Sequence, residues 1–230
     1  RISTMTGSSS RRKRRVPEAA GDAASPQGPD AAARSPHRAR TGATRANILV
    51  TGTPGTGKSE TAAAIAQRLA MEVIAVSGLA KELGAFEAWD EARECHVLDE
   101  DAVLDAMEPR LGRGGCVVEY HACELFPERW FDLVLVLRAS TEVLYDRLEA
   151  RGYGASKIDE NMQCEIMQVV LDEARDAYAA PIVVELRNDT RDDLAANLAR
   201  VDAWHAQWRR DHQWQHDDGA DEDVANDVPR

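Results

Sequence analysis

The stretch Asn47–Ser59 reads NILVTGTPGTGKS and joins a short apolar run to a glycine-rich turn that ends in Lys-Ser. Residues 52–59 within it fit the pattern GxxxxGK[ST]. A strand before this pattern and a helix after it, here predicted over Lys58–Leu69, are the context in which it forms a phosphate-binding loop. The glycines let backbone N–H groups curl around phosphate oxygens, and the following helix directs the positive end of its dipole at them.

This P-loop pattern predicts roles for particular side chains. Lys58 is placed to neutralise the β- and γ-phosphates of a nucleotide, and Ser59 to offer its hydroxyl to Mg²⁺. The other loop residues expected to surround the phosphates are Gly52, Gly55, Thr56 and Gly57. No glycine in the chain has Asp three residues before it and no Asn is followed by Lys, which argues against a Ras-type GTPase.

Five apolar runs alternate with helical patterns after residue 46. The runs are residues 47–50, 72–76, 116–120, 133–137 and 182–186. This alternation predicts an α/β fold of three layers, in which a five-stranded parallel sheet carries helices on both faces. Apolar residues every four positions from Ile158 onward predict one long amphipathic helix over residues 158–178.

Charge is distributed unevenly along the 230 residues. The net charge is −12, but residues 1–45 contain ten basic and three acidic residues and carry +7, which leaves −19 for residues 46–230. An acidic body does not bind nucleic acid by its bulk charge, so we expect no direct sequence-specific contact with nucleic acid. The longest apolar runs are far shorter than the roughly 20 residues of a membrane span, so we expect no membrane association.

Composition also predicts the domain boundaries. Residues 1–45 are rich in Ser, Ala, Pro, Gly and Arg, and residues 211–230 are acidic with few large apolar side chains. Neither segment buries enough apolar surface to offset the entropy cost of ordering it, so we expect a disordered basic tail and a disordered acidic tail around a domain at 46–210.

A second group of polar residues follows the third predicted strand. Glu119 ends that strand and His121 comes two residues later. Because the carboxyl ends of parallel strands face the ligand crevice, Glu119 is placed to hold Mg²⁺ through water, and His121 to orient a phosphate or an attacking water. On spacing alone, a solvated strand end and a packing histidine explain these residues equally well.

Two arginines precede a pair of glycines further along the chain. Arg147 and Arg151 are four residues apart on one predicted helix face, which leads into Gly152-Tyr153-Gly154. A glycine hinge would let Arg151 close onto a phosphoryl group in transfer. The alternative is that these arginines are solvated and pair with nearby acids.

The longer motifs resemble the adenylate kinase isoenzyme 6 family, also called coilin-interacting nuclear ATPase. The stretches that carry the resemblance are NILVTGTPGTGKS at 47–59, HVLDED at 96–101, VVEYHACELFPERWF at 117–131, VLYDRLEARGY at 143–153 and NMQCEI at 161–166. Together they frame residues 46–210, and the stretches at 117–131 and 143–153 are more specific than the phosphate loop. The two tails lie outside the resemblance.

The resemblance implies a nucleoside monophosphate kinase fold with a small lid. It places a monophosphate-binding segment at about 75–98 and the lid at about 150–160, with Arg151 reaching the ATP phosphates. Glu60 would add a backbone N–H to the loop. Glu119 and His121 fall on the family's Asp-x-His motif, with Glu in place of the common Asp. Lys81 stands where an Arg commonly contacts the AMP phosphate, and it supplies charge without a bidentate fork.

The resemblance also implies a function. It implies a nuclear adenylate kinase that uses Mg-ATP to convert AMP to ADP, that hydrolyses ATP, and that acts in small ribosomal subunit maturation. Its partners would then be AMP, a small-subunit ribosomal protein and the pre-ribosome. The basic run Arg11–Arg15 favours nuclear import over an organelle transit peptide, so we expect the nucleus and the cytoplasm. The alternative is a non-enzymatic, ATP-binding acidic chaperone for a basic ribosomal protein.

Overall fold

The computed structural model describes residues 45–90 and 95–217 of the chain. The strands are β1 (Ile48–Gly52), β2 (Glu72–Ala75), β3 (Phe86–Asp90), β4 (Cys95–Leu98), β5 (Cys116–Glu119), β6 (Leu133–Arg138) and β7 (Val183–Arg187). The helices are α1 (Lys58–Leu69), α2 (Val76–Leu83), α3 (Glu100–Arg113), α4 (Thr141–Ala150), α5 (Ala155–Ile166), α6 (Val169–Ala177) and α7 (Arg191–Asp217).

Five of the strands form one parallel sheet in the order β2-β5-β1-β6-β7. These strands match the five predicted apolar runs, so the predicted sheet is confirmed. In β1, Leu49 lies between Val118 of β5 and Val134 of β6. The strand that leads into the phosphate loop is therefore central, and the carboxyl end of β5 lies beside it.

Helices cover both faces of this sheet, as predicted. Side chains of a strand alternate between faces, and in β1 Ile48 and Val50 pack in one cluster while Leu49 packs in the other. The first cluster includes buried residues of α1 and α7, and the second includes those of α2, α3 and α6. The sheet is thus the middle one of three layers.

The predicted helix over residues 158–178 is wrong in one respect, because the structure contains two helices there. Gln168 adopts a left-handed backbone with φ of 58° and separates α5 from α6. Ile158 of α5 packs against α4, whereas Val170 of α6 packs on the main sheet. The two halves of the apolar repeat have different packing partners, so one straight helix cannot serve both, and Ile166 between them is 59% exposed.

The segment at 75–98 has its own secondary structure. It contains α2 and an antiparallel pair of strands, β3 and β4, which the sequence did not predict. Residues 91–94 between these strands lie outside the described part of the chain. The segment follows the carboxyl end of β2, next to β5 in the sheet.

Side chains cap the starts of two helices. The Asp99 side chain accepts a hydrogen bond from the backbone of Ala102 at 3.0 Å at the start of α3. Thr190 and Asp193 bond reciprocally at the start of α7, with backbone-to-side-chain distances of 2.9 and 3.1 Å. These two bonds form a capping box.

The far end of α7 differs from the predicted boundary at residue 210. The helix continues to Asp217, into the segment expected to be a disordered tail. Gln207 donates to the carboxylate of Asp211 at 2.6 Å, a contact between residues four apart that supports an exposed helix. The tails at 1–44 and 218–230 lie outside the described residues. Of the helices described, none has the length and apolar character needed to span a membrane.

One buried amide, the side chain of Asn47 just before β1, joins three elements of the fold. The Asn47 side chain donates to the carbonyls of Leu111 and Trp130 at 2.9 and 3.0 Å and accepts from the backbone of Cys116 at 3.0 Å. Its own backbone N–H donates to Asp132 at 2.8 Å. A single residue before β1 therefore ties α3, β5 and the segment before β6 together.

Replacing this amide should destabilise the fold. We expect Asn47→Ala to lower the free energy of unfolding by about 3 kcal/mol, because it leaves two carbonyls and one N–H buried without their partner. Urea denaturation followed by circular dichroism measures the change. Gln67→Ala, at an exposed position of α1, is the control and should change stability by less than about 0.5 kcal/mol. Equal stability of the two variants would contradict this account.

Candidate active site

The phosphate loop connects β1 to α1 at the centre of the sheet edge. Gly57 has φ of 96°, and a Cβ added there would collide with the side-chain amide of Asn188. A Cβ added at Gly52, where φ is 143°, would collide in the same way with the carbonyl oxygen of Leu137. Glycine at these two positions is therefore required by backbone conformation and by close packing.

The carbonyl oxygen of Thr53 organises this loop. It accepts hydrogen bonds from the backbone and the hydroxyl of Thr56, at 3.2 and 2.8 Å. It also accepts one from the Lys58 ammonium at 3.1 Å. The predicted phosphate-binding lysine is thus held against its own loop, with its side chain directed to the inside of the turn.

Burial disfavours the positive charge of Lys58. Its pKa is lowered to about 8, mostly by burial and in smaller part by the nearby Arg151, while the carboxylates of Glu119 and Glu165 act in the opposite direction. A phosphate in contact with the ammonium would favour the charged form. The electrostatics of this position therefore suit an anionic ligand.

The end of β5 forms the second wall of the site. Glu119 pairs with Val50 in the sheet register, and the N–H of Tyr120 donates to the Val50 carbonyl at 3.2 Å. His121 follows, and burial together with the charge of Lys58 lowers its pKa to about 3. Its imidazole is therefore neutral at physiological pH.

The third wall comes from the predicted lid. Arg151 is the residue directly after α4, and Gly152 has φ of 71°, a turn that begins the connection to α5. Arg147, one helical turn earlier, is not in the cleft wall. Its guanidinium donates to the carbonyls of Gly55, Asn188 and Asp189, at 3.3, 3.0 and 2.7 Å. Arg147 therefore links the phosphate loop to the residues that follow β7.

These walls enclose a cleft of about 140 Å³. It is lined by Pro54, Gly55, Gly57, Lys58, Ser59, Ser77, Glu119, Tyr120, His121, Arg151 and Tyr153. The structure thus brings the three sequence motifs together in one place. Gly52 and Thr56 belong to the loop but do not line the cleft.

Two predicted residues lie elsewhere. Glu60 is exposed at the start of α1, with a carboxylate oxygen 3.7 Å from the Arg191 guanidinium. Its side chain therefore does not crowd the phosphate loop. Lys81 is exposed in the last turn of α2 and is not among the described residues that line the cleft.

Sequence reasoning missed three polar residues of the cleft. Tyr120 lies between Glu119 and His121, and its ring is buried against His121 with a ring-centroid separation of 4.4 Å. Tyr153 lies between the lid glycines. Ser77 lies within α2 and lines the cleft. The position of Ser77 just after β2 could have indicated its place in the cleft, since the carboxyl ends of all strands in a parallel sheet meet at one edge.

Ser59 and Glu119 fit the Mg²⁺ that accompanies a nucleotide. The two residues line the same cleft as Lys58, from α1 and β5 respectively. Hydroxyl and carboxylate oxygens are the ligands that Mg²⁺ prefers, and water commonly completes its coordination. The donor set is therefore suitable for a metal that arrives with phosphates.

Comparison with known proteins gives the family. A family model described as an AAA domain matches residues 48–168. The adenylate kinase isoenzyme 6 homolog of Dictyostelium discoideum is 49% identical over 162 residues, 70% of this chain and 93% of that protein. The homolog of Caenorhabditis elegans is 48% identical over 170 residues, 73% of this chain and 93% of that protein. The chain belongs to the adenylate kinase isoenzyme 6 family.

Membership in the adenylate kinase isoenzyme 6 family confirms the resemblance drawn from the motifs. It makes the chain a phosphotransferase, a nucleotide kinase of the adenylate kinase type. A gluconokinase from Sinorhizobium meliloti has the same fold, with a TM-score of 0.51 and 21% identity over 75% of this chain and 98% of that one. At that identity the likeness concerns the fold alone.

The lowered pKa of Lys58 predicts a pH dependence. At pH 8 about half of the free protein carries a neutral Lys58, and a bound phosphate should draw a proton onto it. We therefore expect proton uptake when Mg-ATP binds near pH 8, and weaker binding as the pH rises above that value. Calorimetry in two buffers of different ionisation enthalpy measures the uptake. Lys58→Arg, which stays protonated, should abolish it, and a buffer-independent enthalpy in the wild type would contradict this assignment.

Proposed function

We propose that the protein transfers the γ-phosphoryl group of Mg-ATP to AMP and produces two ADP, with ATP hydrolysis as a second activity. The observation that carries this proposal is the convergence of Lys58, Glu119 and Arg151 on one cleft from three separate elements. Such a convergence of cations and a carboxylate around a phosphate loop suits phosphoryl transfer, which depends on positioning and on charge neutralisation.

The proposed transfer exchanges one P–O bond for another. An anionic oxygen of the AMP phosphate forms a bond to the γ-phosphorus of ATP. The bond from that phosphorus to the β,γ-bridging oxygen breaks, and the electron pair stays on the departing ADP. Since the attacking oxygen is already anionic, no proton has to leave it, and the protein needs no general base for this step.

Each wall of the cleft has a separate task in this reaction. The loop N–H groups and Lys58 bind the β- and γ-phosphates, where negative charge develops. Arg151 approaches the transferred group from the lid, and Gly152 supplies the turn about which the lid can move. Ser59 and Glu119 would hold the Mg²⁺ that accompanies ATP, and the bound ion would supply further neutralisation of the phosphate charge.

The acceptor side is supported by the position of α2. Ser77 of this helix lines the cleft together with Lys58 and Arg151. Lys81 is four residues later and so lies on the same helix face. We therefore propose that the AMP phosphate binds between Ser77 and the γ-phosphoryl site, with Lys81 as a nearby cation.

Hydrolysis differs from transfer because the attacking water must lose a proton. His121 lies beside Lys58, and a group with a pKa of about 3 holds a proton too weakly to be an effective base. We therefore assign His121 to orient the water through a hydrogen bond, while the proton passes to a phosphate oxygen. This arrangement favours transfer to AMP over hydrolysis whenever AMP is bound.

ADP formation from Mg-ATP, with and without AMP, tests the proposal. We expect a large AMP-dependent rate in the wild type and a loss of about 10²-fold or more in Lys58→Ala, because the charge on the phosphates is then uncompensated. Arg200→Ala removes an exposed cation of α7 and is the control. A rate of ADP formation that does not depend on AMP would indicate an ATPase instead of a kinase. No ADP formation in either condition would favour the acidic chaperone.

We also propose that this activity serves small ribosomal subunit maturation in the nucleus, with shuttling through the cytoplasm. The charge of −19 on residues 46–230 suits a basic ribosomal protein as a partner, since opposite charge steers association. The basic run Arg11–Arg15 supports nuclear import. The pre-ribosome would then be reached through that protein and not through direct reading of RNA sequence.

Complementation of cells that lack the native protein tests this setting. The wild type should restore processing of the small-subunit rRNA precursor, whereas Lys58→Ala should let the precursor accumulate. A fluorescent fusion with Arg11–Arg15 replaced by alanine should leave the nucleus, and an appended import signal should return it. Normal rRNA processing without the protein, or delivery of the wild type to an organelle, would overturn the proposal.

A further inference from the structure

A buried carboxylate outside the cleft contacts the phosphate loop. Glu165 lies near the end of α5 and is 3% exposed. One carboxylate oxygen accepts a hydrogen bond from the Thr53 hydroxyl at 2.5 Å. The other accepts from Arg138 at 2.6 Å and from the backbone of Ala139 at 3.1 Å. The side chain thus joins α5 to the first turn of the loop and to the end of β6.

Thr53 transmits this contact to the lysine. Its hydroxyl bonds to Glu165, and its carbonyl accepts from the Lys58 ammonium and from Thr56. Because the two groups belong to one residue, a fixed hydroxyl restrains the orientation of the carbonyl. The path from Glu165 to Lys58 therefore consists of one residue and two hydrogen bonds.

Burying the Glu165 carboxylate costs desolvation free energy. Desolvation disfavours the charge, and Arg138 compensates it through its guanidinium and a further bond of 2.8 Å to the Glu165 carbonyl. The arginine alone does not explain the contact with Thr53. A hydrogen bond to a carboxylate is roughly twice as strong as one to a neutral acceptor, so the charge gives Thr53 a firmer hold than an amide would.

The helix that carries Glu165 also leaves the lid. α5 begins directly after Gly154, and Ile158 packs with Leu144 and Leu148 of α4. We propose that Glu165 is a positioning residue: through Thr53 it sets the place of Lys58 and ties the phosphate loop to the lid helix α5. This role rests on the proposed phosphoryl transfer from ATP.

The chain offers a matched control for this carboxylate. Glu185 of β7 is the second acid on Arg138, at 3.3 Å, and it is largely exposed. Glu185→Gln thus removes a charge from the same arginine without touching Thr53. We expect Glu165→Gln to lower kcat/KM for ATP by about 10- to 100-fold in folded protein, and Glu185→Gln to leave it unchanged. Circular dichroism establishes the folded fraction of each variant.

A double-mutant cycle tests whether Glu165 acts through Thr53. Thr53→Val removes the hydroxyl and keeps the shape of the side chain. If the path is correct, the variant with both substitutions should lose about as much kcat/KM as the worse single variant, because each removes the same contact. Losses that multiply would overturn the path through Thr53.

The role of Glu165 and the choice of AMP as acceptor can fail separately. If the wild type transfers nothing to AMP, the acceptor proposal fails, while the affinity for Mg-ATP still tests Glu165. This affinity should fall in Glu165→Gln and stay constant in Glu185→Gln. Unchanged Mg-ATP affinity and unchanged kcat/KM in folded Glu165→Gln would overturn the role of Glu165.

Discussion

The charge of Lys58 lies where water is largely removed, and much of the site is arranged around that charge. Burial favours the neutral amine and is the main reason that the pKa of Lys58 is lowered to about 8. The Thr53 carbonyl and the carboxylates of Glu119 and Glu165 retain the charge, but none of these carboxylates forms a direct ion pair with it among the interactions of the described residues. The ammonium is thus kept positive and available, as phosphate binding requires.

Sheet topology explains why these groups meet. With β1 in the centre, its carboxyl end has β5 on one side and β6 on the other. Glu119 ends β5 and His121 follows it, and Arg138, which holds Glu165, ends β6. The groups are far apart in sequence and adjacent in space because parallel strands end at one edge. A change of strand order would separate the carboxylates from the lysine without altering any motif.

The sequence predicted the sheet, the loop and most of the cleft because each has a local pattern. Apolar runs identified the five strands, and GxxxxGK[ST] identified Lys58 and Ser59. Other features depend on contacts that no local pattern contains. The break at Gln168 arises because α5 and α6 pack on different partners. Neither Glu165 nor Ser77 had a predicted role, and only the fold places Glu165 against Thr53 and Ser77 in the cleft.

The lid and the phosphate loop are joined from two sides. α4 reaches the loop through Arg147, which donates to the Gly55 carbonyl, and α5 reaches it through Glu165 on Thr53. Between them, Leu144, Leu148 and Ile158 form a small core separate from the two large ones. The small core keeps α4 and α5 packed on each other while each helix makes its own polar contact with the loop. Because Thr53 and Gly55 are only two residues apart, these contacts fix the first turn of the loop from both helices at once, and the Thr53 carbonyl that accepts from Lys58 lies within that turn.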